Sequence, residues 1–509
     1  MVFENCSAIS SGGGIEFYLS DNANATIELN IMTCIDCKSY YGGGLNIQSD
    51  SNAILILSGQ ASFTRCESSY NGGGLNFHIR GDNAEIQLTG IMNFIDCIGT
   101  RGGGFYINST NQIMLVISNS CTFQNCSSGS YGGGIYLSSY NIDSNIQITG
   151  QLSFNNCSCT YQGDCSNQYY GGGTYAFCSD EGKIVFIGEL NFNNCSTTNS
   201  GGGGDFSTYN KGQIEINNIT CNNCKTYEGG GIFISSQDEN SVIELSGIMT
   251  FVDCIGNSGG GLYIGIYQSG QILISNRCTL TQCIAEQSGG GIYINSQDQG
   301  SLVRISGYLS FELCQSQRYG GGLFAQNSNG SIISLTGYCI FKDCSSEQSG
   351  GGICLSCSQG ENNIEITGDL AIENCSSTFM GGGIYINLYG QASFTRCESS
   401  ENGGGIYFNI QRENVEIRIT GSMDFVDCVG GSDGGGIYIQ ITSKSILVIS
   451  NSCTFHNCTA IFGGGMRGGL YLSVTNSSIS FENLIQFKDC SSQGDGGGLF
   501  AFCSNEGMI

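Results

Sequence analysis

The residues with chemistry to offer are cysteines, asparagines and carboxylates, and they recur on a beat of about thirty residues. Seventeen of the 29 cysteines, from Cys6 to Cys490 and mostly 29 to 32 residues apart, close a recurring motif that reads Phe-x-x-Cys in thirteen repeats. Thiols can bond in pairs, hold a metal or pack as small apolar groups. Cys121, Cys278, Cys339 and Cys453 stand five residues before Cys126, Cys283, Cys344 and Cys458, a spacing that suits a disulfide within the repeat. Cys159 and Cys165 flank the one long loop and are expected to staple it. The total is odd, so at least one thiol is free or bonds between chains. The Cys-x-x-Cys pairs Cys34/Cys37, Cys221/Cys224 and Cys354/Cys357 lie far apart, and His78 and His456 are the only histidines. Zinc sites bring two such pairs together, or one pair and two histidines, so no metal site is expected.

Asn-x-Ser/Thr sequons begin at Asn5, Asn24, Asn108, Asn125, Asn156, Asn194, Asn218, Asn329, Asn374, Asn457 and Asn476. Asn5, Asn125, Asn156, Asn194, Asn374 and Asn457 immediately precede a motif cysteine. In a eukaryotic secreted chain they would carry a row of N-glycans; alternatively, asparagine simply suits a tight corner. The same position holds Asp36, Asp96, Asp253, Asp343, Asp427 and Asp489, never in two successive repeats. A calcium ladder wants neighbouring carboxylates, so at most weak calcium binding is expected and no cofactor. The acid and base blocks of a polysaccharide hydrolase are not assembled; Asp180, Glu181 and Lys183 come nearest. Lys+Arg number 17 against 42 Asp+Glu, a net charge of −25. That balance excludes a duplex nucleic-acid binder and repels a polyuronate. The longest apolar runs, such as Ile54 to Leu57, are too short to span a membrane.

The elements that carry these residues follow from the repeat. Gly-Gly-Gly triplets begin at seventeen places from Gly12 to Gly496 and hold 51 of the 80 glycines. One unit reads Gly132-Gly-Gly-Ile-Tyr-Leu, a polar stretch, Asn145-Ile-Gln-Ile-Thr-Gly, then Leu152-Ser-Phe-Asn-Asn-Cys157. Alternation of period two means strands with one buried face. Three short strands cannot bury that face alone, but stacked copies can. The expected fold is all-β, a right-handed parallel β-helix (β-solenoid) of about seventeen ~30-residue coils, continuous over 1–509 and a segment of a longer chain or fibre. The motif cysteines then form one column about 4.8 Å apart, either bonded in pairs between coils or reduced and buried. Proline is absent, as ladders paired on both sides require. Met1-Val-Phe-Glu-Asn-Cys has neither the basic start nor the apolar core of a signal peptide.

The paired Phe-x-x-Cys and Gly-Gly-Gly-Ile/Leu motifs resemble the Phe-x-x-Asn and Gly-Gly-Ala-Ile/Leu/Val repeats of the chlamydial polymorphic membrane proteins, over the whole chain. The resemblance implies a β-helix of the pectin-lyase-like class, exposed outside the cell as an adhesin or surface coat. With the missing proline, it leads to the expectation of a non-enzymatic, extracellular structural protein. Its partner would be itself, stacking head to tail or laterally into a fibre, filament or coat. The alternatives are an adhesin passenger that meets surface glycans or receptors through loops such as Ser158 to Tyr170, and a polysaccharide lyase or hydrolase.

Overall fold

The computed structural model describes all residues except 20–24, 51–52, 81–83, 110–112, 142–143, 161–169, 358–362, 383–386, 389–391, 411–415, 420, 443 and 461–467. It is all-β, with parallel stacked coils forming a β-solenoid of about 15 turns. Seventeen glycine triplets predict slightly more; the triplet at Gly463 lies outside the described residues. The chain divides into two compact units, Met1–Asn276 and Arg277–Ile509.

One coil of the first unit shows the plan. After Gly72-Gly-Gly, Leu75–Ile79 forms face one, Ala84–Leu88 and Met92–Ile95 form face two, and Ile98–Arg101 forms face three. The coil thus holds four short strands in three sheets, where three strands were expected. Face two is bent at Gly90, whose backbone lies hard against the Gly59 carbonyl of the coil before. In Lys183–Asn193 and Gln213–Asn222 the two halves run on as one strand. Pairing between coils is parallel and in register: Leu75 lies beside Leu45 on one side and Phe105 on the other. The second unit repeats the plan, with Ile292–Ser296, Leu323–Asn327 and Ile353–Cys357 in register on face one.

The inward residues form columns. Phe63, Phe94, Phe123, Phe154 and Phe192 stack ring on ring, with centroids 4.9, 4.8, 4.8 and 5.0 Å apart, and none is exposed. In the second unit Phe311 and Phe341 stack at 4.4 Å, and Phe425, Phe455 and Phe487 at 4.9 Å. Cys34, Cys221, Leu280 and Ile372 take the phenylalanine position in four coils.

Each glycine of a triplet has its own cause. Gly72 sits at φ +62°, a conformation that L side chains rarely adopt. A Cβ on Gly73 would meet the Gly103 carbonyl oxygen of the next coil and lie 2.5 Å from the Ile98 oxygen. A Cβ on Gly74 would lie 2.6 Å from Cδ1 of Phe94, the ring packed beneath it.

Candidate functional site: the thiol column and the corner row

Every residue that precedes a motif cysteine, from Asn5 to Asp489, has φ between 50° and 56°. Asn and Asp adopt this left-handed conformation most readily after glycine, which accounts for their recurrence there. Arg65, Gln282, Leu313 and Arg396 hold it too, imposed by the coil. The corner side chains form a ladder: Asn125 Nδ2 donates to Asp96 Oδ1 at 2.9 Å, and Asn156 Nδ2 to Asn125 Oδ1 at 3.2 Å. Asn374 donates to Asp343 at 3.0 Å and Asn457 to Asp427 at 2.7 Å. Arg65 holds Asp36 in a two-pronged pair at 2.7 and 2.8 Å, and its hydrogen bond lowers the Asp36 carboxyl below its ordinary value.

The six corner asparagines of the sequons are exposed, as are Asn329 and Asn476 in turns at φ 54° and 48°. Asn108 accepts a bond from Ser138 at 2.9 Å, and Asn218 accepts the Ile248 N–H at 2.8 Å. Asn24 lies outside the described residues. Among the described residues, no group of three or more His, Cys, Asp or Glu is placed to hold a metal ion.

The corner turns the next residue inward, so the motif cysteines form a column. Cys66, Cys97, Cys126, Cys157 and Cys195 are fully buried. Each thiol reaches the carbonyl two residues back and a carbonyl of the preceding coil: Cys97 donates to Phe63 at 3.4 Å, Cys126 to Phe94 at 3.4 Å and Cys157 to Phe123 at 3.6 Å. Cys375 does the same to Phe341 at 3.6 Å. Burial pushes the Cys97 and Cys157 thiols well up. Within the column, coil is tied to coil by these thiol-to-carbonyl hydrogen bonds.

The pairs expected within a coil are not brought together as bonds. None of Cys126, Cys283, Cys344 and Cys458 lies in a disulfide with the cysteine five residues before it. Cys121, Cys278, Cys339 and Cys453 sit in a different column, level with Met92, Leu152, Leu309 and Met423. There a thiol replaces an aliphatic side chain, and burial pushes Cys121, Cys339 and Cys453 up to about 12. Cys159 is buried on face three with its thiol at about 11; Cys165, and with it the loop staple, lies outside the described residues. Among the cysteines whose burial is described, Cys503, the exposed one, is therefore expected to label first when the native chain is treated with a thiol reagent. Cys6, Cys354 and Cys490 should follow slowly, and the buried column only on unfolding, as read by peptide mass spectrometry.

Two features escaped the sequence reading. One is an outward row on face one, level with Asn46, Asn76, Tyr106, Tyr136, Tyr175, Asp205 and Phe233. The other is the carboxyl within that row. Asp205 is 1% exposed and accepts bonds from Ser200 at 2.6 Å and Ser207 at 2.9 Å. Burial pushes it up to about 7, against the lowering effect of those hydroxyls. Aligning the coils residue by residue exposes both. The folded chain holds the Asp205 proton more tightly than the unfolded chain does. Stability from this group is thus full below pH 3.8 and declines as pH rises to about 7. Asp205→Asn is expected to remove most of that slope in urea titrations across this range. Glu228, also raised by burial, leaves a residual drift.

No protein-family model, curated protein or solved structure matches the chain. No helix of the described residues is long and apolar enough to cross a membrane.

Proposed function

We propose that the chain is a non-enzymatic structural protein of the cell exterior, whose coils stack into a fibre, filament or coat. The observation that carries this reading is the repetition of one set of axial contacts, coil after coil, within each unit. Rings stack at 4.4 to 5.0 Å, thiols reach the preceding coil, and corner amides bond their neighbours. These contacts serve axial cohesion. An in-register parallel edge is also a template that a further coil, from this chain or another, can extend. The exposed sequon asparagines fit secretion through a glycosylating pathway.

The test is electron microscopy and fibre diffraction of the purified chain at rising concentration. Filaments with a meridional repeat near ~4.8 Å support the reading. Particles that stay at the mass of one chain at every concentration overturn self-assembly. Intact mass after expression in a eukaryotic secretory host reports the glycans separately.

A further inference from the structure

The outward row on face one carries stacked phenols in three successive coils. Tyr106 and Tyr136 lie 4.8 Å apart and Tyr136 and Tyr175 5.3 Å apart. In the two coils before Tyr106 the same position holds Asn46 and Asn76. An amide fills less space than a phenol, so the ring ladder ends at Tyr106. Beside it lies a cavity of about 300 Å³, lined by Tyr41, Tyr70, Asn76, His78, Arg80 and Arg101 among others.

Its wall is chemically particular. The Arg101 guanidinium lies 5.7 Å from the ring centroids of both Tyr70 and Tyr131. Lys38, Arg65, Lys183, Lys211, Lys342 and Arg396 each pair with a carboxylate. Among the described residues none pairs with Arg101, in a chain of net charge −25. Asn71 and Asn76, 5% and 2% exposed, also line the cavity. The Asn76 amide donates to Asn46 Oδ1 at 2.6 Å, but the side-chain carbonyl oxygens of Asn71 and Asn76 receive no hydrogen bond from the described residues. Buried acceptors without a donor are costly and uncommon.

We propose that this cavity binds a small oxyanion carried on a hydroxyl-rich body of single-ring size, a sugar acid or a sugar phosphate. The Arg101 fork matches a carboxylate or phosphate in geometry and charge. The two Asn carbonyls accept from hydroxyls, and the Tyr41 ring, which lines the cavity, packs against the apolar face of a sugar ring. The volume is that of a small-molecule site. The inference is independent of the structural role above.

Calorimetric titration of the full chain with glucuronate, glucose 6-phosphate, inorganic phosphate and glucose tests it. Saturable binding of glucuronate or glucose 6-phosphate is expected, with glucose and inorganic phosphate each weaker by about tenfold or more; the better charged sugar identifies the anion. Asn76→Tyr continues the ring ladder into the cavity, in a register that already holds tyrosine, and should abolish binding. Arg101→Gln should reduce the charged sugar to the affinity of glucose. Thermal unfolding checks both variants, and Arg101→Gln alone decides if Asn76→Tyr fails to fold. The proposal is overturned if neither charged sugar saturates, if inorganic phosphate binds as tightly as both, or if folded variants bind like the parent.

Discussion

Gly73→Ala is expected to break the stack between two coils of the first unit and to cost more than about 4 kcal/mol. The added methyl would enter the space of the Gly103 carbonyl oxygen and lie 2.5 Å from the Ile98 oxygen. Both obstacles are backbone, so no rotamer change relieves them. Moving the coils apart would stretch the bonds from Gly73 N–H to Gly102 at 3.2 Å and from Gly74 N–H to Gly104 at 2.9 Å. Because stability in a stacked repeat is distributed along the stack, the loss should be local. Hydrogen exchange should speed up in Gly72–Ile79 and Gly102–Ser109 before distant coils. Gly129→Ala is the control: its nearest neighbour, Thr100 Cα, would lie 3.6 Å from the methyl. That variant should change stability by less than about 1 kcal/mol. Equal effects from the two substitutions would remove close backbone approach as the reason for the middle glycine.

Phe94→Ala should cost about 3–5 kcal/mol in urea unfolding. The ring is fully buried, stacks on Phe63 at 4.9 Å and Phe123 at 4.8 Å, and lies 2.6 Å from the place of a Cβ on Gly74. Phe94→Leu should cost less than about 2 kcal/mol, since Leu280 already holds the equivalent position. The double variant Gly74→Ala/Phe94→Ala should lose less than the sum of its parts, because the methyl occupies part of the cavity left by the ring. Gly352 supports that coupling: Ile372 takes the ring's place in its coil, and a Cβ there would lie 3.4 Å from the nearest atom. Strict additivity in the cycle would show that glycine and ring are independent.

The thirty-residue beat, the alternation in segments such as Asn145 to Ile148 and the glycine triplets make the coil architecture legible in the sequence. What they conceal is the division of labour at each position. Gly72, Gly73 and Gly74 read alike, yet they answer to a backbone angle, a neighbouring carbonyl and a phenyl ring. The asparagines before the motif cysteines read as sequons, whereas their φ near 50° is a requirement that Arg65 and Leu313 also meet. A spacing of five residues suggests that Cys121 bonds Cys126. The strand instead places Cys121 among aliphatic side chains and the corner at Asn125 turns Cys126 into a separate inward column, a separation that linear distance does not encode. Asp205, Arg101 and Asn76 acquire meaning only beside their counterparts one coil away, because what distinguishes them is a break in a row.

The parallel ladders have a mechanical consequence. Their hydrogen bonds run from coil to coil, along the direction in which each unit grows. Tension applied along that direction loads one row at a time, as in opening a zipper, and does not shear many rows together. Each coil that lets go releases about thirty residues, roughly 100 Å of slack. In an optical trap a single unit should therefore lengthen in even low-force steps of that size. Material built on these ladders would resist bending, and under overload it would pay out length coil by coil before it parted.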